Sequence, residues 1–259
     1  MPDTLPNRWP SRLWLVRHGQ SAGNVARDAA HEAGALRIAL NIRDVDVPLS
    51  AMGEQQADAL GRWFAQGEGH EQPEVVLCSP YVRARQTAQR FRDAGGTARD
   101  VAICADERLR EKEFGILDGL TTAGIAATVP QQTEFRRLLG KFYHRPPGGE
   151  SWCDVIFRLR SLMDTVSLHH AGRPVMIVAH QVVVLCLRYI LENLSEEEIL
   201  TIDRQGDVAN CSVTEYMHEQ EAGHDRGLVL VRYNVTAPVA QDPAAEVTSA
   251  PDAMVAARG

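Results

Sequence analysis

Three times in this chain an apolar run of strand length stops at a polar residue and a helical pattern takes over. Leu13-Trp14-Leu15-Val16 runs into Arg17-His18-Gly19-Gln20-Ser21, Glu74-Val75-Val76-Leu77-Cys78 runs into Ser79-Pro80, and Val175-Met176-Ile177-Val178-Ala179 runs into His180-Gln181. Continuous apolar strands of this kind are buried on both faces and need helices on each side of their sheet. Further strand-length runs fall at 101–104, 211–217 and 227–233. Between them, residues 50–66 space Ala57, Leu60 and Phe64 as a helix behind Ser50 as N-cap. Ser79-Pro80 reads as the N-cap and first position of a helix reaching about Arg92. Residues 151–168 hold one apolar stripe through Trp152, Val155, Leu159, Leu162 and Val166, opened by a Ser151–Asp154 capping-box pattern. Strands alternating with helices predict an α/β fold: a three-layer α/β/α sandwich on a mainly parallel central sheet.

The 259 residues suffice to bury a core without disulfide or metal staples. Residues 1–235 read as a single domain, with the charged, Gly- and Pro-containing segment 105–149 as an insertion over one end of the sheet. Within it, 131–142 is helical in pattern, and 236–259, rich in Ala, Pro, Asp and Val without periodicity, reads as a disordered tail. A net charge of -7 argues against broad nucleic-acid or anionic-membrane binding, while leaving room for a small basic pocket. The five cysteines are odd in number and none share CxxC spacing, so no zinc knuckle or disulfide framework is readable and a reducing, cytoplasmic setting fits. No apolar run approaches the roughly 20 residues that a spanning helix needs.

In parallel sheets ligands bind at the carboxyl ends of the strands, where glycine lets backbone approach an anion and helix N-termini offer unpaired N–H groups. Arg17 adds a bidentate cation at the first strand end, although Arg-His-Gly taken alone reads as a surface turn. Arg83 and Arg85 fall in the opening turns of the second helix, where cations oppose the helix dipole; a bound anion accounts for them, and so does a solvated arginine pair. His180 ends the third strand, a place where histidine is more often a core residue than a catalyst.

Together these pieces resemble the histidine phosphatase, or phosphoglycerate-mutase-like, superfamily. LVRHGQSAGN matches its nucleophile motif, CSPYVRARQTA its second motif, LREKEFGILDG its acid-bearing loop and VAHQ its second-histidine motif, across roughly residues 12 to 217. The resemblance implies His18 as a nucleophile that becomes phosphohistidine, Arg17, Arg83 and His180 as phosphoryl ligands, and Asn24 as a further hydrogen-bond donor. It implies Glu111 as proton donor, with Glu107 and Glu113 as neighbouring candidates. The chemistry agrees: a neutral imidazole attacks phosphorus at neutral pH, and two arginines and a histidine supply the charge without metal or other cofactor.

Where the family more often has Gly after the second histidine, this chain has Gln181. His-Gln and the run Pro147-Gly148-Gly149-Glu150-Ser151 resemble the bisphosphatase half of the enzymes that hydrolyse fructose 2,6-bisphosphate. That half also carries an Arg four residues after the Gln, where this chain has Leu185. Ser21, Gln181, Lys141 and Arg145 are further candidates to contact substrate, Arg136 and Arg137 read as solvated surface, and an amphipathic stretch from Ala33 to Leu40 is placed to shape the pocket. The expectation is a metal-independent phosphatase acting on a small phosphorylated metabolite. The alternatives are a phosphoglycerate-type mutase and a catalytically weak binding or regulatory protein on the same fold.

Overall fold

The computed structural model describes residues 8–66, 71–221 and 224–249. Six strands, β1 (Arg12–Arg17), β2 (Val75–Cys78), β3 (Ile103–Ala105), β4 (Pro174–Ala179), β5 (Val213–Glu221) and β6 (His224–Val235), form one sheet in the order β3-β2-β4-β1-β5-β6. The first four run parallel, and β5 and β6 extend the sheet antiparallel beyond β1. The helices are α1 (Ala22–Glu32), α2 (Ala51–Gln66), α3 (Val82–Asp93), α4 (Thr122–Thr128), α5 (Pro130–Tyr143), α6 (Trp152–His169), α7 (Gln181–Leu191), α8 (Glu196–Gln205) and α9 (Ala237–Ala240).

The period-two alternation of the strands divides the core in two. Leu13, Leu15, Val175 and Ile177 pack with Leu159 and Leu162 of α6, Val183 and Leu187 of α7 and Ile199 of α8. Trp14, Val16, Met176 and Val178 pack on the opposite face with Leu60 and Phe64 of α2 and Ala88 and Phe91 of α3. Phe64 stands edge-on between Trp14 and Phe91, with ring centroids 5.4 and 5.3 Å away. Each such buried side chain contributes about 1.5–3 kcal/mol, so the strand ends are fixed from both sides. The predicted sandwich is the observed one.

The three strands that carry the polar strand ends are neighbours, β2-β4-β1. Their ends are knitted by backbone: the His18 N–H donates to Ala179 O at 2.9 Å and the Ser79 N–H to Val178 O at 3.0 Å. α2 seats directly on the loop after β1. A Cβ on Gly53 would lie 1.9 Å from Gln20 O, and one on Gly19 would lie 2.5 Å from Gly53 O, so only glycine permits this approach. Ser50 caps α2 as expected, accepting from the Gly53 N–H at 3.0 Å.

Two expectations are corrected. α3 begins at Val82 behind Tyr81, not behind Ser79, because the Ser79 hydroxyl lies 2.8 Å from His180 Nε2 and accepts from the Tyr81 N–H. The tail expected to be disordered from residue 236 is ordered as far as 249. α9 buries Val239 in the α2 face of the core, Arg62 pairs with Asp242, and Thr248 and Glu246 bond Gln56. Residues 250–259 lie outside the described residues. The pattern over 131–142 falls within α5, which is interrupted at Gly140 by a φ of 77°. The stretch from Ala33 to Leu40 is irregular and is tied to the segment after β3, Ile38 N–H donating to Gly119 O at 2.9 Å.

Candidate active site

His18 is fully buried at the end of β1. Its Nδ1 lies 2.6 Å from Gly19 O, and its Nε2 lies 3.2 Å from Nε of Arg83. A guanidinium only donates, so Nε2 must accept and the ring proton must sit on Nδ1, facing the Gly19 carbonyl. The network thus selects one neutral tautomer and turns the lone pair of Nε2 toward Arg83. His180, also fully buried, stands edge-on to His18 with ring centroids 5.0 Å apart. Tyr81 completes the cluster, its ring 5.1 Å from that of His180 and 5.0 Å from the Arg83 guanidinium carbon.

The two arginines at the start of α3 differ in burial. Arg83 is 1% exposed and points to His18, whereas Arg85 is exposed. Arg17, fully buried, donates from Nη1 to Val208 O at 2.6 Å. Asn24 is buried at the third position of α1, where its Oδ1 closes a capping box with Ser21. Any hydrogen bond from Asn24 to a ligand must therefore come from Nδ2, and the Ser21 hydroxyl is spent on the cap.

Of the three candidate acids, Glu111 alone is buried, at 1% exposure; Glu107 and Glu113 are exposed. Glu113 accepts from the Tyr81 hydroxyl at 2.9 Å. Glu111 Oε1 accepts from the Lys112 N–H at 2.7 Å. The loop that carries Glu111 is clamped by Glu150, which reading the sequence placed only within the PGGES run. The Glu150 carboxylate accepts from Arg158 Nε and Nη2, both at 3.0 Å, from Arg110 at 2.7 Å and from the Glu113 N–H at 3.1 Å. Burial alone would raise the Glu150 pKa; the Arg158 hydrogen bonds and charge outweigh it and hold the carboxyl below the ordinary glutamate value.

Lys112, unremarked in the sequence, is 8% exposed beside Glu111, and its ammonium sits 4.4 Å from the Phe114 ring centroid. Burial, reinforced by Arg136, brings its pKa down to about 8. Arg136, read from the sequence as solvated surface, is half-buried, and burial lowers its pKa as well. Lys141 is engaged by Asp203, and exposed Arg145 by Asp154. Gln181 donates to Asp207 at 2.8 Å, and Leu185 lies wholly in the α6–α7 core.

Two polar residues hold the loop after β1 from behind. Asn210 Nδ2 donates to His18 O at 2.9 Å, and Gln56 Oε1 accepts from the Gln20 N–H at 2.8 Å. Both are in turn bonded to the Thr248 hydroxyl, each at 2.9 Å. A cavity of about 360 Å³ is lined by Gly23, Arg37, Asn41, Phe114, Asp118 and Asp44, the residue that pairs with Arg83.

Two buried histidines, with Arg17 at a strand end and Arg83 on α3, gather where β1, β2 and β4 end, and comparison with known proteins decides the family. The family profile described as Histidine phosphatase superfamily (branch 1) matches residues 13–234. The chain belongs to the histidine phosphatase superfamily. This histidine phosphatase is 32% identical over 223 residues to a 6-phosphofructo-2-kinase/fructose-2,6-bisphosphatase of Caenorhabditis elegans, covering 83% of this chain and 43% of that longer protein. It is 28% identical over 221 residues to a 2,3-bisphosphoglycerate-dependent phosphoglycerate mutase of Gloeobacter violaceus, covering 81% of this chain and 86% of the relative. A mycobacterial glucosyl-3-phosphoglycerate phosphatase solved with inorganic phosphate matches its fold with a TM-score of 0.65 and 26% identity, over 88% of this chain and 99% of that one. Members of the superfamily are thus phosphatases and mutases. Among the described residues no helix is long and apolar enough to cross a membrane.

Proposed function

We propose that this histidine phosphatase hydrolyses a small phosphomonoester, without metal, through a phosphohistidine on His18. The observation that carries the reading is the tautomer of His18: proton on Nδ1 toward Gly19 O, lone pair on Nε2 beside Arg83. In the first step the Nε2 lone pair forms an N–P bond as the ester P–O bond breaks in line. Arg17, Arg83, His180 and Asn24 stabilise the equatorial oxygens, and the buried arginines bring the positive charge that such a transition state needs. The departing alkoxide takes a proton from the carboxyl of Glu111. In the second step water attacks phosphorus, its proton passes to the Glu111 carboxylate, and the N–P bond breaks to give orthophosphate and neutral His18.

The leaving-group preference follows from what lies around the cradle. Leu185 is core and Gln181 is tied to Asp207, so neither supplies a cation for a second phosphate at that point. We infer a monophosphate on a polyol or small acid as substrate, with water as acceptor. The test is a rate comparison in EDTA over sugar phosphates, phosphoglycerates, nucleotides and fructose 2,6-bisphosphate, with His18→Ala as blank. Phosphate release from a monophosphate, absent in the blank, is the expected result. Conversion of 2- to 3-phosphoglycerate, primed with the bisphosphate and faster than phosphate release, would make the protein a mutase. Absence of turnover on every substrate would favour a binding role, and loss of activity in EDTA with rescue by a divalent cation would contradict metal independence.

A further inference from the structure

Arg83, buried against His18, is already holding an anion with its guanidinium. Nη1 donates to the backbone oxygen of Asp44 at 2.7 Å and to its Oδ1 at 3.0 Å, while Nη2 donates to Oδ2 at 3.1 Å. This is the two-pronged geometry with which arginine grips a carboxylate or a phosphate. Asp44 sits on a single 3-10 turn, Asp44–Asp46, in the segment between α1 and α2. Its side chain is 40% exposed, against 1% for Arg83. One partner is therefore fixed in the core and the other is on a surface turn.

We propose that Asp44 is a positioning residue that stands in for the phosphoryl group on Arg83 and is displaced from the terminal nitrogens when substrate binds. The inference rests on the reading of Arg83 as a phosphoryl ligand. A buried guanidinium without a counter-charge is costly, so Arg83 calls for an anionic partner. Asp44 provides it and grips the terminal nitrogens while Nε faces His18. An incoming oxyanion competes for the same N–H groups. The cavity of about 360 Å³ that Asp44 lines gives the released carboxylate room, with Asp118 on the same wall. Asp118 is raised in pKa by burial first and by the Asp44 charge next, which puts the two carboxylates within each other's field and opposes a deep retreat of Asp44. The exchange is thereby reversible: product phosphate leaves as Asp44 returns. Asp46, two residues on, is paired with Arg43 on the surface and has no part in it.

The experiment is calorimetric titration of orthophosphate and orthovanadate into wild type, Asp44→Asn and Asp46→Asn. Removing the competing charge is expected to tighten oxyanion binding in Asp44→Asn by about two- to fivefold, the scale of a half-exposed ion pair. KM should fall without a matching rise in kcat, and Asp46→Asn should behave as wild type. A merely structural role for Asp44 would weaken binding, so unchanged or weaker affinity in Asp44→Asn overturns the proposal. If that variant does not fold, the wild-type crystal structure with orthovanadate decides. The Asp44 carboxylate should have left Arg83, and a retained pair beside the bound oxyanion refutes the exchange. Equilibrium binding is read independently of turnover, so an inactive wild type, or an active His18→Ala, would count against the phosphatase reading alone.

Discussion

Nε of Arg83 lies 3.2 Å from Nε2 of His18. One contact joins the charge that would receive the phosphoryl group to the atom that would attack it, and it fixes the imidazole tautomer. Lysine keeps the charge but has neither the planar fork nor the Nε donor. Arg83→Lys is therefore expected to lose about 10²-fold in kcat/KM, measured by steady-state kinetics on p-nitrophenyl phosphate. Retention of near wild-type kcat/KM would show that the point charge alone suffices.

Glu111 is predicted to matter in proportion to the basicity of the leaving group. A nitrophenolate departs without a proton and an alkoxide does not. Glu111→Gln should slow an alkyl phosphate by about 10²–10⁴-fold and p-nitrophenyl phosphate far less. Equal losses on the two substrates would reject the acid role, and the same pair of assays on Glu113→Gln tests the exposed neighbour.

Lys112 carries a pH signature. Burial brings its pKa from 10.5 to about 8, so between these values the unfolded chain binds more protons than the folded one. Stability then rises with pH across that window, and the cost of burying the charge is fully present below about pH 8. Lys112→Met is expected to stabilise the protein at pH 7 by about 1–3 kcal/mol and to remove this part of the slope. Urea unfolding of both proteins at pH 7 and pH 10 measures it. A difference between them that does not shrink toward pH 10 would contradict the assignment.

Thr248 is expected to support the loop after β1 through Gln56 and Asn210. Thr248→Val deletes the hydroxyl at nearly constant shape. A loss of about 1–2 kcal/mol in urea unfolding is expected, with a several-fold fall in kcat as the His18 carbonyl and Gln20 N–H lose their backing. An unaltered midpoint and unaltered kcat would leave the segment without a supporting role.

What was legible in the sequence was what local pattern dictates. The strand ends at Arg17, Cys78 and Ala179 and the capped helix at Ser151 follow from apolar runs and capping residues, and the structure has them. The buried state of Arg83 and the exposed state of Arg85 were not separable by spacing, since both fall in the opening turns of α3 and only tertiary packing tells them apart. Glu150 and Arg158 are joined across the start of α6 to a loop some forty residues upstream of Glu150, a long-range pairing with no local signal. The tail misled because its composition resembles disorder, while a few contacts, Val239 in the core and Asp242 on Arg62, suffice to hold it. Asp44 lies beyond the amphipathic stretch from Ala33 to Leu40 and carried no local signal, and its grip on Arg83 is visible only in three dimensions.

The central claim is that His18 carries the phosphoryl group. Rapid mixing of the enzyme with p-nitrophenyl phosphate labelled in phosphorus, a base quench and peptide mapping reads it directly. The account predicts an acid-labile, base-stable label on the peptide containing His18, formed at the rate of the nitrophenolate burst and absent from His18→Ala. Label on another residue, or full turnover by His18→Ala, would contradict it.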